Sequence, residues 1–84
     1  MMKWMVVITN ENGVLNRITF DNAKDLQTGM KAVVEASQTW DWERFKAWSR
    51  NAKAGQWVEM RDFRNRIRAL VVRLSDPKGW YKGE

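Results

Sequence analysis

The sequence predicts an α+β domain in which an antiparallel sheet carries two helices packed on one face, in the order ββααββ. Three observations lead there. An Asn12-Gly13 pair separates two strand-like runs near the N-terminus, two stretches of helical period lie between residues 22 and 52, and two further runs rich in Val, Ile and Trp flank Asp62-Phe63-Arg64-Asn65. With 84 residues there is length for one domain with a small core. We expect that domain over 1–77 and a flexible C-terminal tail over 78–84.

The first hairpin follows from local chemistry. Lys3 to Thr9 is rich in Val and Ile, Val14 to Phe20 alternates, and Asn12-Gly13 suits a type I′ turn, whose two central positions need positive φ. A two-residue turn there pairs Thr9 with Asn16, Val7 with Ile18 and Met5 with Phe20. Met5, Val7, Val14, Ile18 and Phe20 then share the core face. Trp4, Val6 and Ile8 fall on the other face, an apolar surface that needs cover and could serve homodimerisation.

From Asp21 the period changes. Ala23, Leu26, Met30, Val33 and Val34 follow helical spacing, with Asp21 or Asn22 as cap, which places a helix near 22–37. Gly29 in its middle costs about 1 kcal/mol relative to alanine, so packing must hold this helix. Thr39 or Asp41 can cap a second one, with the stripe Trp42, Phe45, Trp48 and Ala52, ending before Gly55. Lys46, Arg50 and Lys53 fall within one sector of its solvent side.

Two readings fit Gln56 to Leu74. As a helix, Met60, Phe63, Ile67, Leu70, Val71 and Leu74 form one stripe, giving a β-hairpin plus three helices. As a hairpin, Trp57 to Arg61 pairs with Ile67 to Leu74. The hairpin is favoured because no good cap precedes Gln56, and a helix starting at Asp62 would crowd Arg64, Arg66 and Arg68 at the positive end of its own dipole. The two strands apolar on both sides, Trp4 to Ile8 and Ile67 to Leu74, then sit adjacent in the centre, in the order 2-1-4-3. Asp76-Pro77 stops whichever element precedes it.

Composition narrows the function. Cysteine and histidine are both absent, which removes the usual zinc sites, disulfides, thiol nucleophiles and imidazole acid/base pairs. The close acidic pairs Asp41/Glu43 and Glu59/Asp62 each have arginine neighbours able to neutralise them, and no phosphate-binding glycine loop or nucleophile elbow occurs. A non-enzymatic chain without cofactor or metal is therefore expected. The apolar run Trp4 to Ile8 is too short for a signal peptide, and nothing approaches a membrane span, so a cytoplasmic location without membrane contact is the expectation.

The net charge of +5 is unevenly divided: residues 1–42 carry −1 and residues 43–84 carry +6. Arg61, Arg64, Arg66, Arg68 and Arg73 lie within thirteen residues, opposed only by Asp62. On a hairpin, Arg64, Arg66 and Arg68 share one face near the loop, where a basic ribbon could straddle a phosphate backbone or enter a groove. A charged edge that discourages strand pairing would carry the same residues, although lysine would serve there as well. Among the six tryptophans, Trp48 and Trp57 read as packing. Trp40 and Trp42 flank Asp41 between the helices, and Trp80 with Tyr81 lies in the tail; these pairs are candidate aromatic anchors. The expected partner is a nucleic acid or nucleoprotein complex held by the Arg61 to Arg73 segment with Lys46, Arg50 and Lys53. The alternative is an acidic protein surface, bound as by a small inhibitor or adaptor of the size of phage-encoded proteins that block host machinery.

Overall fold

Six elements follow one another in the computed structural model, which describes residues 3–62 and 66–74: β1 (Trp4–Asn10), β2 (Gly13–Phe20), α1 (Ala23–Ala36), α2 (Trp42–Asn51), β3 (Trp57–Arg61) and β4 (Ile67–Arg73). The strands form one four-stranded antiparallel sheet in the order β2-β1-β4-β3. Residues 57–73 are thus a hairpin, and the third helix of the other reading does not form. Alternation explains the outcome: Val58, Met60, Ala69 and Val71 are all buried on one face. Ile67, which a helical stripe would bury, is 41% exposed. Phe63, Arg64, Asn65, the stop at Pro77 and the tail 78–84 lie outside the described residues.

In the N-terminal hairpin the structure corrects the expected register. Asn10 stands opposite Gly13, so Glu11 and Asn12 make the turn; Asn10 Oδ1 accepts from the Asn12 N–H at 2.8 Å, and Gly13 takes φ +124°. Thr9 pairs with Val14 but Ile8 pairs with Asn16, so Leu15 is an extra residue on β2, a bulge. A turn one residue early followed by a one-residue bulge leaves β1 displaced by one position. Trp4 now faces Phe20 and Val6 faces Ile18. A shift of one turns every β1 side chain over. Trp4, Val6 and Ile8 therefore point into the core, with Trp4 and Val6 fully buried, while Val14 is 56% exposed.

Both helices lie on that inner face. Asn22 caps α1, its Oδ1 accepting from the Asp25 N–H at 2.8 Å, and Leu26, Met30 and Val34 are buried beneath it. A Cβ at Gly29 would stand 2.6 Å from Phe20 Cζ. The glycine costs helix propensity but lets the Phe20 ring lie against the helix backbone. Asp41 caps α2 in the same way, through the Arg44 N–H at 2.7 Å. Phe45, fully buried, anchors α2 among Trp40, Trp42 and Trp48, with ring centroids 6.0 to 6.5 Å away. The buried Ser49 hydroxyl accepts from Gln27 Nε2 at 2.7 Å and donates to the Lys46 carbonyl at 2.9 Å, which satisfies it and ties α2 to α1.

Candidate functional site

Because both helices cover one face of the sheet, the other carries its side chains outward. Strand pairing lays them out in rows. Thr19, Met5, Val72 and Trp57 form one row, and Arg17, Val7, Leu70 and Glu59 the next. Val14, Thr9, Arg68 and Arg61 form a third. The middle, on β1 and β4, is apolar and half-buried at Met5, Val7, Leu70 and Val72; the margin carries Thr19 and Arg17 on β2 and Trp57, Glu59 and Arg61 on β3. Trp57 on the edge strand is 59% exposed.

Arg61 and Arg68 stand directly opposite each other. Like charges in that relation destabilise a strand pair by up to about 1 kcal/mol. Glu59 offsets part of this, accepting from Arg61 Nε at 2.7 Å. That hydrogen bond, opposed by partial burial and reinforced by the charges of Arg61 and Arg68, holds the Glu59 carboxyl below its ordinary value near 4.5. Its ion pair with Arg61 is thus intact at neutral pH. Beyond the row, Arg66 and Arg68 line a recess of about 320 Å³ with Thr9, Asn10 and Glu11, where the Arg66 N–H donates to Asp62 Oδ1 at 2.8 Å. Arg17, opposite Val7, is exposed on the same face.

The structure sorts the residues singled out from the sequence. Arg61 and Arg68 are brought together, with Arg66 at the end of their strands. Arg64, Trp80 and Tyr81 lie outside the described residues. Arg73 turns to the inner face: its guanidinium lies 5.1 Å from the Trp4 ring centre and its Nη1 donates to the Lys3 carbonyl at 3.0 Å, so it serves packing. Lys46 and Arg50 lie on α2 and Lys53 in the connection from α2 to β3, where its N–H donates to Gln56 Oε1 at 2.8 Å; none of them is on the arginine face, and Lys46 Nζ pairs with Glu43 at 3.0 Å.

The aromatic expectations change as well. Trp40 and Trp42 both pack on the core, one edge-on and one stacked against Phe45, and the Arg44 guanidinium lies 4.1 Å over Trp40. They are structural rather than free anchors, because a core this small recruits both indoles from either side of Phe45. Trp4, Val6 and Ile8 are not the uncovered face of the sheet; the register shift gives that place to Met5 and Val7. Trp57, read as packing, is the exposed indole among the described residues. Its signal was period two, since Val58 and Met60 as inward residues send Trp57, Glu59 and Arg61 outward.

Among the described residues no three acidic side chains gather to hold a cation, and no helix is long and apolar enough to cross a membrane. Comparison with protein-family models, curated proteins and solved structures gives no match, so the open face must be interpreted from its own chemistry.

Proposed function

We propose that this protein is a cytoplasmic, non-enzymatic binding domain that engages nucleic acid, mostly through phosphates, on the open face of its sheet. The observation that carries this reading is Arg61 set directly opposite Arg68 on a face no helix covers. Arg17 and Arg66 add to the same side. The pairing works against the stability of the hairpin, and a polyanion laid across it turns that repulsion into attraction. Guanidinium suits the task because its planar fork meets a phosphate with two hydrogen bonds. A second copy docked face to face would add like charge to like.

A salt titration tests the reading. Binding of a labelled oligonucleotide should weaken linearly in log–log form as salt rises, with a slope near −0.7 per phosphate contact on a single strand or −0.9 on a duplex. A flat response, or no binding at low salt, refutes it. Affinity capture that retains a protein after nuclease treatment, with no oligonucleotide binding, would move the face to the acidic-protein alternative.

Glu59 supplies a second test. Its carboxylate occupies Arg61, so Glu59→Gln is expected to strengthen oligonucleotide binding about two- to fivefold at neutral pH, the range of an exposed ion pair. Unchanged or weaker binding would take Arg61 out of the contact. The stability that Glu59 lends follows the sign of its lowered pKa. It is present above the ordinary carboxylate value and lost as pH falls through the depressed one.

A further inference from the structure

We infer that the nucleic acid taken by this face is single-stranded, with a base stacked on Trp57 and the strand's phosphates on Arg61 and Arg68. The inference rests on the nucleic-acid reading and adds the form of the ligand. Charge alone does not discriminate, since duplex and single strand both present phosphates. The apolar middle of the face does.

A duplex keeps its bases inside and shows a protein sugar, phosphate and the floors of its grooves. The major groove, about 12 Å wide, admits one helix or a two-stranded ribbon. Here Arg68 is no part of a projecting ribbon, because β4 is bonded to β3 on one side and β1 on the other. Four strands at about 4.8 Å spacing put the outer two about 14 Å apart before any side chain is added, too wide to enter. A duplex resting on the arginines would leave Met5, Val7, Leu70 and Val72 against charged phosphate or solvent.

A single strand exposes the π-faces of its bases, and those can lie on an apolar sheet. Trp57 stands four residues along β3 from Arg61, about 13 Å at strand rise. An indole thus lies at one end of the face and the paired guanidiniums at the other; the row between them is apolar at Val7 and Leu70 on the central strands, with Glu59, paired to Arg61, on the β3 edge. Each base–aromatic stack tolerates any sequence, so little sequence preference follows.

The test uses the full chain with a thymidine homopolymer and a duplex of equal length at equal phosphate concentration. The duplex should compete at least about tenfold more weakly, and Trp57→Leu should cost about tenfold in affinity for the single strand with an unchanged salt slope. Trp57→Phe, which keeps a ring, should recover most of that loss. Because Trp57 is largely exposed, the thermal midpoint of both variants should match the parent. Equal competition by duplex, or a Trp57→Leu variant that binds like the parent, overturns the single-strand inference and leaves nucleic-acid binding standing. If neither form binds at low salt, both readings fall.

Discussion

Replacing Phe45 with alanine is expected to remove a large part of the domain's stability. Phe45 is completely buried, and its ring is the common neighbour of Trp40, Trp42 and Trp48. Truncating such a side chain costs about 3–5 kcal/mol, part of it for a cavity the rigid indoles cannot close. A domain of this size has about 4–13 kcal/mol in all. Urea denaturation followed by circular dichroism reads the effect: the variant's midpoint should fall by about half or its transition vanish. Val14→Ala, at an exposed strand position, should stay within about 0.5 kcal/mol of the parent. A Phe45→Ala midpoint equal to the parent's would contradict the aromatic cluster as the anchor of α2.

Removing the paired charges should have the largest effect on binding. In Arg61→Gln with Arg68→Gln, two charge-assisted contacts are lost at about 1.5 kcal/mol or more each, which is about a hundredfold in affinity. The double variant should be as stable as the parent or slightly more so, since two guanidiniums no longer oppose each other across the ladder. The comparison that gives the result meaning is Lys46→Gln with Arg50→Gln. It removes the same formal charge from the helical layer and should cost less than about threefold, because only long-range attraction is lost. If this second pair cost as much as the first, the interface would lie over α2 and not on the sheet.

Local signals in this chain were dependable wherever a short stretch could satisfy itself. Asn22 and Asp41 stand before apolar stripes of helical period, and each caps a helix where that pattern begins. In the 57–73 segment, period two competed with a helical stripe. Burial of Val58, Met60, Ala69 and Val71 on one face settles that competition for the hairpin, although it sets Arg61 opposite Arg68, and the strand order and the α+β class follow. The sequence grouped Arg64, Arg66 and Arg68 on one face near the loop; the structure sets Arg61 opposite Arg68, a pairing that the register fixes, and Arg64 lies outside the described residues.

Tertiary structure decided what local patterns left degenerate. β1 is apolar on both sides, so hydrophobicity cannot choose between Trp4, Val6 and Ile8 or Met5 and Val7 as the inner set. The choice is made by fit to the helices. The Trp4 indole meets Trp48 edge-on at 5.5 Å, and the early turn with the bulge at Leu15 supplies the register that allows it. Helix packing likewise drew Trp40 and Trp42 inward and left Trp57 outside, because burial belongs to the face an element presents and not to the residue type. Sequence alone thus determined that this is a basic α+β domain whose arginines concentrate in its C-terminal half. Only strand register and the packing of helices on one side determined that Arg61 meets Arg68 and which apolar and aromatic groups accompany them on the other.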